Sequence, residues 1–365
     1  AIAAASKKTV CSVCGRSLRH FYDRRQHRVR DLDAGDTRIY LDFEYRRVSC
    51  PECGVRQERL AWLSDSRRFT RRFAQAVGRQ CRELSVDRVA EMHQLSWGQV
   101  RRLEVAYMEA LLAKRPAAKR LRSIGIDEVS IRKGHSYAIV VADLDRQRPI
   151  WMSSSLGRGF FNDIGAQRCR RIKLAVMDMW KAFRKSTTRN APNARIVFDK
   201  FHVLRHLSDA LDQVRRQEYK RVNEKERKFI KGQRYTLLSH RANLDTEGRR
   251  SLKLLLKANR RLHKAYLLKE SFGQLWDYNN PAWARKFFDN WKAQLKWQRL
   301  ESFEKFAAMI ERHWDGIVSY CHPDNKVSLG FMEGLNNKIR LIQRRAYGIR
   351  DQHYLKLKVL TSFIK

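Results

Sequence analysis

Long apolar runs are missing from this 365-residue chain. Every hydrophobic stretch is broken by charge, so a transmembrane helix of about 20 apolar residues is excluded and no membrane is expected as a partner. The opening, AIAAASKKTV, has no starting methionine and no hydrophobic centre, and it is too short for a secretory signal. It reads as a cut or processed end. Acids are scarce: 38 Asp and Glu stand against 77 Lys and Arg, a formal net charge of +39. That is far more than solubility needs. A polyanion is the natural partner, because each phosphate neutralised releases condensed counterions. A structural basic protein of the ribosome shares this balance, so charge does not choose among nucleic-acid partners. Cysteines number seven. An odd count without a secretory leader points away from a disulfide framework, towards metal ligands or free thiols, and towards a reducing compartment. What is plentiful is hydrophobic residues, 43%, too many for a disordered chain. At this length they allow two to four domains.

Residues 11–60 begin and end with a Cys pair, Cys11-Ser-Val-Cys14-Gly and Cys50-Pro-Glu-Cys53-Gly. Between them Thr37, Ile39, Leu41, Phe43 and Tyr45 alternate with Arg38, Tyr40, Asp42, Glu44 and Arg46, the period of a strand. Two CxxC knuckles separated by strands are the pattern of a zinc ribbon. Four thiolates suit one tetrahedral Zn²⁺, and so small a segment cannot bury enough surface to fold unaided. Cys81, Cys169 and Cys321 stand outside the pairing and read as ordinary buried or free thiols. Arg24, Arg25, His27, Arg28 and Arg30 either lie on phosphates or form a solvated charged face.

From 66 to 115 the texture is helical. Phe69, Phe73 and Val77 recur at four-residue steps. Ser85 can cap a helix that packs Val86, Val89 and Ala90 inward, and Ser96 can cap a third that carries Val100, Leu103, Val105 and Tyr107. The spacing suits a helix-turn-helix that shows Gln99, Arg101 and Arg102 to a major groove. A helical spacer is the alternative.

After a basic connector, Lys114 to Arg122, strands are expected at Ile124–Ile131, Tyr137–Ala142 and Ile150–Ser153, with turns at Lys133-Gly134 and Asp145-Arg146. Further strands follow at Ile172–Met177 and Arg195–Phe198, flanked by helical segments. Three hairpin-connected strands followed by alternating helices and strands make a mixed α/β sheet. From about 213 to 320 the pattern is helix only. Its Trp276, Trp283, Trp291 and Trp297 either fill a local core or make contacts between subunits. The last 45 residues return to helix near Val327.

Asp127 interrupts the apolar strand Ile124-Gly125-Ile126-Asp127-Glu128, and Asp178 directly follows Leu174-Ala175-Val176-Met177. An acid there is unfavourable unless a cation or partner compensates. If the strands are neighbours, the two acids converge on one sheet edge, with Glu333 of a late helix as the candidate third. Hard oxygen ligands suit two Mg²⁺ or Mn²⁺ ions that assist an in-line phosphoryl displacement. Glu128 and Asp199 are rivals. Glu128 should point away from Asp127 on alternate-side grounds, and Asp199 ends the next strand.

Several blocks resemble bacterial insertion-sequence transposases of the ISL3 group. GIDE at 125–128, with Lys133-Gly134 and Tyr137 behind it, is similar to their first catalytic block, and VMDM at 176–179 to their second acid. NARIVFDKFHVLRHLSDALDQVRR (193–216) resembles the block that follows. MEGLNNKIRLIQRRAYGIRD (332–351) resembles the glutamate block. The resemblance covers essentially the whole chain, which reads as lacking the opening segment that usually precedes the first Cys pair in that group. It implies a multidomain α/β protein with a ribonuclease-H-like core and an all-helical insertion. The implied divisions are a zinc ribbon at 1–62, a helix-turn-helix at 63–118, the first core part at 119–212, the insertion at 213–324 and the glutamate-helix part at 325–365. It implies a DDE transposase with catalytic Asp127, Asp178 and Glu333. Asn336, Asn337, Lys338, Arg344 and Arg345 would then contact DNA. The partners would be double-stranded DNA, both element ends and target, and a second subunit or more on that DNA, in a bacterial cytoplasm close to the nucleoid. A regulator that has lost an acid would keep the charge and the zinc, but all three acids are present. A junction resolvase would share the core without needing two sequence-reading modules.

Overall fold

The computed structural model describes the chain except residues 1–7, 117–119, 133–135, 154–157, 328–329 and 365, and except the side chains of 132, 136, 158, 225 and 226. The expected Lys133-Gly134 turn and the first seven residues lie outside the described residues. The chain divides into two compact units, Ala1–Pro116 with Ile342–Lys365, and Ala117–Leu341. The last segment, expected as one block at 325–365, is thus split. Among the described residues no helix is long and apolar enough to cross a membrane.

In the first unit β1 (Thr9–Val10) pairs antiparallel with β2 (Ser17–Leu18). A second antiparallel sheet contains β3 (Asp23–Arg30), β4 (Tyr40–Cys50) and β5 (Gly54–Gln57). The strand expected from Thr37 starts at Tyr40 and runs on into the second Cys pair. Its alternation holds: Phe43 is buried against Val29 and Leu63, with Leu41 and Tyr45 packed at the same cluster. Helices α1 (Arg71–Gln80), α2 (Val86–His93) and α3 (Trp97–Lys114) follow. Thr70, Ser85 and Ser96 cap them, each side chain accepting from a backbone N–H three residues on. Phe69, Phe73, Val77, Val89, Ala90, Val100 and Leu103 enclose one small core with Cys81. The sheet is tied to α1 by Asp31, which is fully buried. Its carboxylate accepts from Thr70 Oγ1 at 2.7 Å and from Arg72 Nε at 2.6 Å.

In the second unit β6 (Ser123–Arg132), β7 (Ser136–Asp143), β8 (Arg148–Ser153), β9 (Leu174–Met177) and β10 (Arg195–Phe198) form one sheet in the order β10-β9-β6-β7-β8. β6, β9 and β10 are parallel, and the β6-β7-β8 hairpins are antiparallel. This is the mixed sheet of a ribonuclease-H-like core. β9 is buried along its whole length, as a central parallel strand must be. Short helices α4 (Arg158–Ile164) and α5 (Ala166–Cys169) precede β9, and α6 (Lys181–Asn190) links it to β10. Then α7 (Lys200–Arg221) runs unbroken through residue 213, so the expected start of the insertion falls inside a helix. It leads into α8 (Glu224–Gly232), α9 (Arg234–Leu238), α10 (Thr246–Ala258), α11 (Arg260–Phe272), α12 (Pro281–Ala293), α13 (Glu301–Arg312) and α14 (Trp314–Val318). The apolar core is continuous from Ile124 and Ala175 in the sheet through Leu207 and Leu211 of α7 to Phe288 and Trp291 of α12. Finally, α15 spans Gly330–Arg345 and α16 spans Gln352–Thr361.

Within the first unit α16 lies against α3. Glu104 of α3 is 2% exposed. It accepts from the Tyr354 hydroxyl and pairs with the Lys358 ammonium, both on α16.

Candidate active site

The parallel register sets the acids side by side. Ile126 of β6 is opposite Met177 of β9, and Met177 is opposite Phe198 of β10. One residue further along each strand come Asp127, Asp178 and Asp199. Neighbouring strands lie about 4.8 Å apart, so three carboxyl groups share one sheet edge. Asp127 and Asp199 are buried and Asp178 is partly open. Asp127 Oδ1 accepts from the Glu128 amide at 2.7 Å and Asp178 Oδ1 from the Met179 amide at 2.6 Å. Asp199 has a different task. It caps α7, its Oδ1 accepting from the Phe201 amide at 2.9 Å.

That cap carries His202 into the edge. Its Nε2 stands 3.6 Å from Asp127 Oδ1 and its Nδ1 3.5 Å from Asp178 Oδ2, so the imidazole bridges the two acids. Burial disfavours its cation, but the close Asp127 carboxylate and the charges of Asp178 and Asp199 outweigh this and raise its pKa. Burial raises the carboxyl pKa of Asp199, helped by the charges of Asp127 and Asp178, and opposed by the Phe201 amide and His202. Burial likewise raises Glu128, with Asp127 and Asp178 adding to it. In both residues burial is the larger cause and the neighbouring carboxylates add to it.

The glutamate helix reaches the same strand. Met332 of α15 packs on Gly125, where an added Cβ would come within 2.6 Å of its sulfur. One turn on, the Asn336 amide donates to Asp127 Oδ2 at 2.6 Å. Asn336 was expected on DNA. It is instead buried, and its Oδ1 has no hydrogen-bond partner among the described residues. Glu333 lies three residues before it, one position round from Met332, exposed on the flank beside Asn336. Among the described residues, Asp127, Asp178 and Glu333 are not gathered into a metal-holding group as the four knuckle cysteines are.

The four zinc-knuckle cysteines, Cys11, Cys14, Cys50 and Cys53, have their sulfurs all within 4.8 Å, with Cys14 and Cys50 3.6 Å apart. Thiolates about 2.3 Å from a tetrahedral zinc lie about 3.8 Å from each other, so the cluster is consistent with a structural zinc site. Gly15 and Gly54, one after each CxxC, have φ of +76° and +72°, a turn that favours glycine. Backbone amides of Cys14 and Val13 lower the Cys11 thiol to about 7, whereas burial among the other thiols pushes Cys53 up to about 12. Cys81, Cys169 and Cys321 are buried free thiols.

The residues expected on DNA divide. Arg30 does not face solvent. It is 5% exposed, donates to the His93 carbonyl at 2.5 Å, pairs with Asp33 at 2.9 Å and lies over the Phe73 ring. The helical module covers it, which its place in an alternating strand did not reveal. Arg28 is exposed but bidentate to Asp42, its cross-strand neighbour, at 2.8 Å. The Gln99 side-chain oxygen accepts from the Ser96 amide at 2.9 Å and completes a capping box. Arg101 pairs with Asp351 at 2.7 Å and lies 3.9 Å from the Tyr354 ring centre. Arg102, Asn337, Lys338, Arg344 and Arg345 are exposed, with the Asn337 oxygen accepting from Arg340 at 3.0 Å and Arg345 donating to the Arg82 carbonyl at 3.3 Å.

Three family descriptions match the chain. Residues 124–359 match a transposase family, 58–107 the helix-turn-helix domain of transposase family ISL3, and 7–53 the zinc-finger of the transposases of IS204, IS1001, IS1096 and IS1165. The transposase for insertion sequence element IS1001 of Bordetella parapertussis is 34% identical over 367 residues, covering 98% of this chain and 89% of that protein. The transposase for insertion sequence element IS1557 of Mycobacterium tuberculosis is 30% identical over 383 residues, covering 96% of this chain and 85% of that protein.

Proposed function

We propose that this chain, which belongs to the ISL3 family of transposases, cuts and joins DNA with Asp127, Asp178 and Glu333 as its catalytic acids. The observation that carries the reading is the register-matched pair Asp127 and Asp178, with the glutamate helix seated on the first of them through Asn336.

The residues present fit divalent metal. The donors at the edge are hard oxygens, burial pushes up the carboxyl groups of Asp199 and Glu128 with the charges of Asp127 and Asp178 adding to it, and the buried Asn336 Oδ1 beside Asp127 has no hydrogen-bond partner among the described residues. Asp127, Asp178 and Glu333 would hold two Mg²⁺ or Mn²⁺. Such ions, when bound, activate a water or 3′-hydroxyl and stabilise the leaving oxygen of an in-line displacement. Asn336 fixes the side-chain orientation of Asp127, and His202 keeps Asp127 and Asp178 aligned. Glu333 must approach the pair, which makes the seating of α15 decisive for activity. The helix-turn-helix and the zinc ribbon read the element ends. Exposed arginines and lysines, Arg102, Lys338, Arg344 and Arg345 among them, meet phosphates.

The test is a labelled duplex that carries an end of the mobile element encoding the chain, incubated with the purified protein in Mg²⁺ or Mn²⁺. Strand cutting at the element boundary and joining of the freed 3′ ends to a plasmid are expected, and neither in chelator. Cutting in chelator, or none with either ion, refutes the proposal. One chain offers one acid set while an element has two ends, so the working species is a dimer or larger. Light scattering on a paired-end DNA complex should show at least two protein copies.

A further inference from the structure

Four tryptophans of the helical region, Trp276, Trp283, Trp291 and Trp297, have separate fates. Trp276 and Trp291 are 3% and 1% exposed and belong to the core, whereas Trp283 is 58% and Trp297 86% exposed. Trp297 sits in the turn between α12 and α13, at φ +67°, and Arg299 follows at φ +53°. L-residues other than glycine rarely adopt this region, and such outliers persist where the surroundings impose them. The surroundings are visible: Lys264 Nζ of α11 donates to Gln298 Oε1 at 2.7 Å, Arg261 Nη2 to the Arg299 carbonyl at 2.5 Å, and the Gln298 amide to the Leu295 carbonyl at 3.0 Å. The fold thus holds a large aromatic ring out in water. Cations collar it. Lys296 Nζ is 5.5 Å from the ring centre, Arg299 and Lys264 are exposed, and no acid occurs between Asp289 and Glu301.

We propose that Trp297 is a stacking platform for a DNA base that has left the double helix, with Lys296, Arg299 and Lys264 on the adjoining phosphates. The inference rests on the DNA-processing reading above. An exposed aromatic face with cations close by is the surface that single-stranded DNA fits, because every base offers a π-face and every nucleotide a phosphate. A second copy of a +39 chain meets the same collar with like charge. The platform is remote from the acids. Arg261 also donates to Glu218 and Gln217 near the end of α7, each at 3.3 Å, while His202 is in the first turn of α7. Sixteen residues at 1.5 Å each put the turn about 24 Å from the catalytic edge, so it would act on DNA roughly seven base steps from the cut.

Fluorescence anisotropy of the full zinc-loaded chain tests this with two probes, a blunt duplex of about 30 base pairs and the same duplex with a short single-stranded tail. The wild-type chain should prefer the tailed probe. Trp297→Ala should lose about tenfold in affinity for that probe, within the range base–aromatic stacking supplies, with little change for the blunt duplex. Trp297→Phe should keep most of the preference, and Trp283→Ala all of it. Lys296→Gln should instead lower the salt dependence on both probes by about one unit of slope. The proposal is overturned if Trp297→Ala binds the tailed probe as the wild type does, or if Trp283→Ala loses as much. It is also overturned if Trp297→Ala changes only the size of the protein complex. A tail preference in a chain that never cuts DNA would sink the catalytic reading and leave this one standing.

Discussion

Substituting Gly125 by alanine perturbs the seat of the glutamate helix without touching an acid. The new Cβ would lie 2.6 Å from Met332 Sδ, 2.9 Å from its Cγ and 3.0 Å from Leu144 Cδ2. Unstrained carbons need about 3.5–4.0 Å, so Met332 has to retreat by about 1 Å. Met332 is 2% exposed and has little room, so part of the retreat passes to α15. The Asn336–Asp127 hydrogen bond starts at 2.6 Å, and whatever part of the shift reaches Asn336 lengthens it towards the limit of about 3.5 Å, where it no longer counts as one. Overpacking a core costs about 1–3 kcal/mol. Methionine bends easily, so a value near 2 kcal/mol is expected. Met332→Ala alone should cost about 2–5 kcal/mol by leaving a cavity. In the double variant each change relieves the other, and the total should fall short of the sum by about 1–2 kcal/mol. Urea denaturation followed by tryptophan fluorescence gives the energies, and an element-end cleavage assay gives the rate. Cleavage should fall in Gly125→Ala and recover partly in the double variant. Additive energies, or a Gly125→Ala protein as stable and active as wild type, would refute the argument that α15 is registered on β6 through this contact.

Freshly purified protein should contain about one zinc per chain by elemental analysis, and Cys14→Ser should lose it together with the fold of residues 9–57; a metal-free yet folded wild type would remove the zinc assignment. Asp31 is held at about 2 by the Arg72 guanidinium and Thr70 against its burial. A lowered carboxyl pKa gives stability above the unfolded value near 3.9 that is lost as pH falls towards 2. Discounted because the Arg72 side chain is 66% exposed, Asp31→Asn should cost about 1–2 kcal/mol at neutral pH. The melting difference from wild type should close between about pH 4 and pH 2, and a difference that stays constant there would contradict the pairing. Gly78→Ala places a Cβ 2.4 Å from both Cβ and Cγ of Tyr107. Tyr107 Cβ is fixed to the backbone of α3, so the α1–α3 crossing must open, and a melt or DNA-binding curve like wild type would show that the two helices do not cross this tightly.

Much of the site is local and was readable in one dimension. Asp127 breaks an apolar strand, Asp178 directly follows another, and the knuckle cysteines carry their spacing with them. Ser85 and Ser96 cap where the pattern of apolar residues begins. What could not be read is what distant segments bring. His202 reaches the acids only because Asp199 caps α7 at the same edge, and the clue is its place three residues after a strand-end acid. Asn336 looked like a DNA contact because a carboxamide in a basic helix can serve either purpose, and only tertiary packing turns it to Asp127. Arg30 read as a phosphate contact or a solvated charge and Arg101 as a groove contact, but His93 of α2 and Asp351, which caps α16, engage them. Nothing in the periodicity of residues 342–365 says that they pack with α3, since the partner of α16 is over two hundred residues away. The insertion boundary was invisible for the opposite reason, because α7 crosses it without a break in amphipathic pattern.

The central claim is most directly tested by cleavage of an element-end duplex with five single variants compared in Mn²⁺, each first shown to melt and bind DNA like wild type. Asp127→Asn, Asp178→Asn and Glu333→Gln should each lose cutting by at least about a thousandfold, as removal of a group that acts as part of a unit does. Glu128→Gln should cut at close to the wild-type rate, and Asp199→Asn should retain measurable cutting because that residue caps α7 rather than holding an ion. Wild-type cutting by any of the first three, or complete loss in Asp199→Asn beside an active Asp178→Asn, would contradict the account.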